Sequence, residues 1–270
     1  MSPYDLIVEP EQVAGATVDQ KPVIVHLSSE SSYRQGHLPG AVYLPPQALL
    51  NGQRPAPGKL PDLEQLQQVF AYLGHTPTTH YLVYDDEGGG WAGRFIWTLD
   101  VLGHPHYSYL NGGLLAWKAA GLPLETEFNY PQPSNPKLEI HRAPIAEIDD
   151  ILPRLDDTSF AVWDARSAPE YHGEQALARK SGHIPNAIHC EWTELMDPSR
   201  SFRIRTDAAN YLRDKGLTAD KEIVTHCQSH HRSGFTYLVG RSLGFNIRGY
   251  HGSWAEWGND PRTPVESGER

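Results

Sequence analysis

The hexapeptide GHLPGA at residues 36–41 recurs as GHIPNA at residues 182–187, and this repeat is the main indication of the fold. Two more pairs of segments keep the same order and a separation of about 140 to 146 positions: YLVYDDEGGGWAG at 81–93 with EIVTHCQSHHRSG at 222–234, and NGGLLAW at 111–117 with HGSWAEW at 251–257. Three matches in one order indicate a structural unit that occurs twice.

The domain organisation follows from this repeat and from the length of the chain. A chain of 270 residues suits two domains, because domains cluster at roughly 100–150 residues. Between the repeats, ETEFNYPQPSNPK at 125–137 holds three prolines and no apolar periodicity, which is typical of an extended linker. We therefore predict one domain over 1–125, a linker over 126–137 and a second domain over 138–270.

Each half alternates short apolar runs with helical patterns. The runs that predict buried strands are 23–27, 81–84, 161–163 and 223–225, and the helical patterns cover 63–73, 208–212 and 235–243. Strands alternating with helices predict an α/β fold in which each half is a parallel sheet flanked by helices. Ligands bind such sheets at the carboxyl ends of the strands.

Charge and cysteine content limit the classes of partner and the cellular compartment that suit the protein. The chain has 33 acidic and 23 basic residues and a formal charge of -10, so most of its surface repels nucleic acid and anionic membranes. It has only two cysteines, Cys190 and Cys227, which excludes a disulfide framework and favours the reducing cytoplasm. The N-terminus lacks the features of a signal peptide, and no apolar run approaches the ~20 residues that cross a bilayer.

The loop around Cys227 carries the chemistry. The strand 223–225 runs into HCQSHHR at 226–232, and a helical pattern follows. Backbone N–H groups converge in such a strand-to-helix loop, and the helix N-terminus adds positive potential, so the loop forms an anion cradle. We expect Arg232 and the three histidines of the loop to add positive charge and to favour a thiolate nucleophile at Cys227.

These features resemble the rhodanese superfamily, specifically the tandem thiosulfate and mercaptopyruvate sulfurtransferases, from about residue 13 to residue 264. The resemblance is carried by the paired GHLP and GHIP motifs, DAR at 164–166, the Cys227 loop and GSWAEW at 252–257. It implies two tandem rhodanese-like domains and no cofactor or metal. It also implies that Cys227 accepts a sulfane sulfur, which the loop N–H groups hold as a persulfide.

The implied reaction moves sulfur from a small anionic donor, thiosulfate, to cyanide, a thiol or a protein acceptor. We expect Cys227 and Arg232 to be catalytic, and we expect the following side chains to bind substrate: Arg166, Trp192, Gln228, Ser229, His230 and His231. Asp164 and Glu170 are expected to orient their neighbours. A buried ion pair of Arg166 with Asp164 or Glu170 remains open beside donor binding, and Glu170 stands where many relatives carry a second arginine.

The first half lacks this chemistry. The residues aligned with Asp164, Arg166, Cys227 and Arg232 are Leu27, Ser29, Asp86 and Trp91. With Asp86 in place of the nucleophile, we expect the first half to be catalytically inactive and to wall the cleft. We expect a monomer, because the duplicated halves can bury their own interface.

Several other interpretations stay open. A 3-mercaptopyruvate sulfurtransferase is the first alternative. A Cys-dependent phosphatase or arsenate reductase is the second, although related phosphatases place five residues between Cys and Arg, whereas four separate Cys227 from Arg232. A non-catalytic binding module is the third.

A metal site at the loop histidines is disfavoured because structural zinc sites need closed, spaced ligand sets. Cys190 is expected to be an inert core residue, and His37 and His183 are expected to fix turns.

Overall fold

The computed structural model describes residues 4–16 and 21–268. Its first half contains β1 (Ile7–Val8), α1 (Pro10–Gly15), β2 (Val23–Leu27), α2 (Glu30–Gln35), β3 (Val42–Leu44), α3 (Leu63–Tyr72), β4 (Tyr81–Asp85), α4 (Gly90–Val101), β5 (Tyr107–Leu110) and α5 (Gly113–Ala119), with a 3₁₀ turn over Pro46–Leu49.

The second half contains β6 (Ile145–Ala146), α6 (Ile148–Ile151), β7 (Phe160–Asp164), α7 (Ala168–His172), β8 (Ile188–His189), β9 (Met196–Asp197), β10 (Arg203–Ile204), α8 (Ala208–Asp214), β11 (Glu222–His226), α9 (Arg232–Ser242), β12 (Asn246–Tyr250) and α10 (Ser253–Trp257). Three 3₁₀ turns lie at Leu152–Arg154, Trp192–Leu195 and Pro198–Arg200.

Each half is built on one five-stranded sheet, and the two sheets have equivalent strand orders. The first runs β1-β5-β4-β2-β3 and the second β6-β12-β11-β7-β8, with every neighbouring pair parallel. The predicted α/β fold with two tandem parallel sheets is confirmed. In each sheet the central strand, β4 or β11, leads directly into the loop of the repeated segment at 81–93 or 222–234. Both loops therefore lie at the carboxyl edge of their sheet.

The repeated Gly-His motif fixes a turn in each half. His37 stacks on Tyr33 with ring centroids 3.7 Å apart, and its Nδ1 lies 2.8 Å from the Tyr33 carbonyl oxygen. His183 repeats the arrangement with Tyr171 at 3.8 Å and 2.8 Å. Both histidines are buried. Because both halves have the same arrangement, the motif supports the fold of each half.

The two halves pack through α4 and α9, which approach at glycines. A Cβ added to Gly93 would lie 2.2 Å from the Gly234 carbonyl oxygen, and one added to Gly234 would lie 2.4 Å from the Arg94 amide nitrogen. Only residues without a side chain allow this approach. The helix that follows the Cys227 loop is therefore seated directly on the first half.

The predicted linker, 126–137, contains neither helix nor strand. The domain boundaries on either side of it stay predictions. Within the described ranges, no helix has the length and apolar character needed to span a bilayer.

Candidate active site

Cys227 is the first residue after β11, at the carboxyl edge of the second sheet, and it is 1% exposed. The loop is fastened to α10, because the Trp254 and Ala255 amides donate to the carbonyl oxygens of Cys227 and Gln228 at 2.9 and 3.0 Å. The Cys227 amide donates to Ser253 Oγ at 3.3 Å. These bonds hold the backbone on both sides of the sulfur in place.

The next loop residues have backbone N–H groups without a hydrogen-bond acceptor among the described residues. In the part of the chain that the structure describes, the amides of residues 228–231 pair with no protein acceptor. His230 adopts a left-handed conformation with φ of 56°, which is uncommon for a residue with a side chain. Its Nδ1 lies 2.7 Å from Ser233 Oγ. The loop therefore has donors for an anion, as the sequence predicts.

The surroundings of the Cys227 thiol favour its ionisation. Burial opposes the thiolate, but the Arg232 guanidinium, the Ser233 hydroxyl and amide, and His231 outweigh it and lower the pKa of Cys227 below its usual value. The Ser233 hydroxyl donates to Sγ at 3.4 Å. Sequence analysis missed this serine as a site residue. The signal was its position directly after Arg232, in the first turn of α9.

Two of the loop histidines do not supply the positive charge that the sequence suggested. His226 and His230 are fully buried, and burial lowers the pKa of each below its usual value. Both imidazoles are therefore neutral near pH 7. The expectation that they favour the thiolate through charge is wrong, because burial outweighs their position near the nucleophile.

Arg232 is paired with Glu170 through two hydrogen bonds of 2.6 and 2.8 Å. Burial disfavours the guanidinium charge, but this pair and Cys227 raise the pKa of Arg232. Burial also disfavours the Glu170 carboxylate, but Arg232 lowers its pKa. Glu170 thus orients Arg232 directly and balances part of its charge.

Arg166 has the buried ion pair that sequence analysis left open. Its Nη2 lies 2.6 Å from Asp164 Oδ2 and also donates to the Gly182 carbonyl oxygen at 2.8 Å, while the guanidinium lies over the Trp254 ring at 4.2 Å. Burial alone would raise the pKa of Asp164, but Arg166 and His226 lower it. Arg166 is 1% exposed, and its role in donor binding stays a prediction.

His231 connects the two halves at the cleft. Its ring stacks on Trp91 of the first half at 4.2 Å and lies 5.7 Å from Trp192 of the second half. Its Nε2 pairs with the Glu87 carboxylate. Trp192, the residue predicted to wall the pocket, and the first half therefore meet at one loop side chain.

The remaining predicted site residues occupy the loop with different exposure. Gln228 is partly exposed and donates through Nε2 to the Leu177 carbonyl oxygen at 3.3 Å. The Ser229 carbonyl lies against Gly58 of the first half. His230 is fully buried, with its ring edge-on to Trp97 at 4.6 Å. Among the described residues, no group of three or more His, Cys, Asp and Glu side chains is arranged to hold a metal ion.

Cys190, the other cysteine, is buried and is not bonded to Cys227. Burial raises the pKa of Cys190 to about 12, so it stays a thiol near neutral pH. The expectation of an inert core residue agrees with this environment.

The first half has the equivalent loop, whose amides bond a carboxylate of the same half. Asp85 Oδ1 accepts from the amides of Glu87, Gly88 and Gly89 at 3.2, 3.0 and 2.8 Å, and Oδ2 accepts from Ala92 at 3.0 Å. Burial raises the pKa of Asp85 to about 6. Sequence analysis noted Asp86 in place of the cysteine and missed the preceding aspartate. An acidic side chain at the end of β4 was the available signal.

A family model for the rhodanese-like domain matches residues 9–120 and again residues 147–260. The chain belongs to the rhodanese-like family. Each match covers four of the five strands of one sheet and begins just after its first strand, β1 or β6, and the two matches lie on either side of the predicted linker. The resemblance stated from the sequence is confirmed.

Among curated rhodanese-like relatives, a thiosulfate sulfurtransferase of Azotobacter vinelandii is 53% identical over 97% of both chains. A thiosulfate sulfurtransferase of Pseudomonas aeruginosa is 51% identical over 98% of both. A 3-mercaptopyruvate sulfurtransferase of Escherichia coli is 32% identical and covers 87% of this chain and 84% of the relative.

A solved structure gives the same fold at much lower identity. The anaerobic ergothioneine biosynthesis enzyme of Chlorobium limicola, in complex with trimethyl histidine, superposes with a TM-score of 0.81 at 22% identity. The match covers 98% of this chain and 71% of that enzyme.

Proposed function

We propose that this protein is a thiosulfate sulfurtransferase in which Cys227 carries the sulfur as a persulfide. The observation that carries the proposal is the buried Cys227 thiol, whose pKa is lowered, beside loop amides that have no protein acceptor in the described chain. The two thiosulfate sulfurtransferases that are 51% and 53% identical support the choice of donor.

In the first half-reaction, the Cys227 thiolate attacks the outer sulfur of thiosulfate. The sulfur–sulfur bond of the donor breaks, and sulfite leaves with the electron pair. A Cys227 persulfide anion remains, and we propose that the amides of residues 228–231 and the Ser233 hydroxyl stabilise its charge; the lack of a protein acceptor for these amides in the described chain and the Ser233–Cys227 hydrogen bond support this. No cofactor takes part in this step.

In the second half-reaction, a nucleophilic acceptor attacks the outer sulfur of the persulfide, and the Cys227 thiolate leaves. With cyanide the product is thiocyanate, and with a thiol or a protein cysteine the product is a new persulfide. The enzyme returns to its first state, so the kinetics should be ping-pong.

The test is steady-state sulfur transfer to cyanide, with thiosulfate and 3-mercaptopyruvate compared on wild type and Cys227→Ala. We expect thiosulfate to have the larger kcat/KM and the Cys227→Ala variant to be inactive with both donors. A larger kcat/KM for 3-mercaptopyruvate would replace the proposed donor. Activity retained in Cys227→Ala would overturn the mechanism.

We further propose that the protein acts as a monomer in the cytoplasm. The close contact of Gly93 with Gly234 supports the first point, because the two halves cover each other's helices. The two free cysteines support the second. A dimer mass in light scattering, or co-fractionation with periplasmic markers, would contradict these proposals.

A further inference from the structure

Arg94 of the inactive half is a buried cation without a carboxylate partner. It lies on α4 and is 0% exposed, and no ion pair joins it to an Asp or Glu among residues 4–16 and 21–268. Its Nη1 and Nη2 donate to the carbonyl oxygens of Gly58 and Leu49, each at 2.8 Å, and its Nε has no partner. Burying a charge without a partner of opposite charge costs free energy of folding.

Packing alone does not require arginine at this position. In the repeat, Gly93 aligns with Gly234, and Arg94 therefore aligns with Phe235 of α9. Phe235 is also 0% exposed. The second half thus fills the equivalent place with an apolar ring, and the guanidinium is a feature of the inactive half.

Arg94 is joined to the catalytic loop by two short paths. Gly58, which accepts from Nη1, lies so close to Ser229 that a Cβ added there would be 2.1 Å from the Ser229 carbonyl oxygen. Trp97 lies 4.7 Å from the guanidinium and 4.6 Å from the His230 ring. The cation therefore sits behind the loop that follows Cys227.

Several other groups near Cys227 supply less positive charge than their residue types suggest. Glu170 balances part of the charge of Arg232, and burial keeps His226 and His230 neutral near pH 7. The charged and titratable groups that face the loop from all elements packed against it are Asp164, Arg166, Glu170, His226, His230, His231, Arg232, His251, Glu87 and Arg94.

We propose that Arg94 is a positioning residue of the active site: it holds residues 49–58 against the Cys227 loop and supplies an unbalanced positive charge that favours the thiolate and the persulfide. The inactive half thus contributes to the electrostatics of the catalytic cysteine. Burial lowers the pKa of Arg94 to about 9 and the Cys227 thiolate opposes that shift, in keeping with a mutual attraction between the two groups. The inference rests on Cys227 being the nucleophile.

The test is the pH dependence of Cys227 alkylation by neutral iodoacetamide, followed by mass spectrometry on sulfur-free protein. We expect Arg94→Met to slow alkylation roughly tenfold at pH 7 and to change it less than about twofold at pH values where the thiol is fully ionised. Alkylation needs neither donor nor acceptor, so the result is independent of whether thiosulfate is the substrate.

Arg34→Met is the matched control, since Arg34 pairs with Glu30 on the exposed face of α2. If Arg94→Met does not fold, Arg94→Gln gives the same comparison with a neutral side chain that still donates to a carbonyl. A neutral variant whose pH profile superimposes on wild type would overturn the proposal. So would equal slowing at every pH, because that would reflect access to the thiol and not charge.

Discussion

At the scale of single residues, Ser233 illustrates how a hydrogen bond favours the thiolate. Its hydroxyl donates to Cys227 Sγ at 3.4 Å and also lies 2.7 Å from His230 Nδ1. Burial keeps His230 neutral. A hydrogen bond from this hydroxyl to the charged form of the sulfur lowers the pKa of Cys227.

We predict that Ser233→Ala raises the pKa of Cys227. The wild-type pKa is below the usual thiol value, so thiolate persists as pH falls and is lost only below that lowered pKa. In the variant the loss should begin at higher pH. Persulfide formation from thiosulfate should be roughly three- to tenfold slower at pH 6 and should converge with wild type at pH 9.

Ser242→Ala is the control for this change, because Ser242 is the last residue of α9 and its hydroxyl bonds only the Val239 carbonyl oxygen, at 2.7 Å. Stopped-flow rates across pH measure both variants. Parallel profiles for Ser233→Ala and Ser242→Ala would show that the Ser233 hydroxyl does not tune the thiol.

At the scale of elements, the crossing of α4 with α9 couples the halves. The Gly93 and Gly234 backbones touch where any side chain would collide with a peptide group. Since α9 begins at Arg232, a shift of this helix moves the cradle as well. Stability and activity should therefore respond together at this crossing.

We predict that Gly93→Ala lowers the free energy of unfolding by roughly 1–3 kcal/mol through overpacking and reduces turnover with thiosulfate. Gly15→Ala at the end of α1 is the matched control, because a Cβ there meets nothing within 4 Å. Urea unfolding of both variants measures the difference. An unchanged or higher stability for Gly93→Ala would contradict the packing described here.

The sequence predicted the main elements well where periodicity was strong. The run 23–27 is β2 with the same bounds, and the helix predicted over 63–73 is α3, Leu63–Tyr72. The two-residue edge strands β1 and β6 were missed, because two residues have no periodicity. The helix predicted from 235 begins at Arg232, because the polar residues of its first turn face the site and interrupt the apolar pattern.

The candidate site was only partly visible in the sequence. The loop around Cys227 could be located because the repeat aligned it with Asp86. The contacts of Arg94 with Gly58 and Leu49 span 36 and 45 positions and leave no local pattern. Burial of His226 and His230 likewise depends on the packed halves, so their neutral state could not be inferred from residue type.

At the scale of the whole molecule, duplication has produced one cradle that holds its own carboxylate and one whose amides of residues 228–231 remain without a protein acceptor in the described chain. Asp85 accepts four backbone N–H bonds in the first half, where β4 leads into Asp86. In the second half the equivalent loop begins at Cys227, whose sulfur accepts from the Ser233 hydroxyl at 3.4 Å. The chain should therefore take up one sulfur and not two, although both halves share one fold.

The most direct test is the intact mass of the chain after treatment with a stoichiometric amount of thiosulfate. If Cys227 carries the sulfur, wild type gains the mass of one sulfur atom, Cys227→Ala gains none, and cyanide removes the added mass. Addition to both proteins, addition to neither, or uptake of two sulfurs by wild type would contradict the assignment of Cys227 as the carrier.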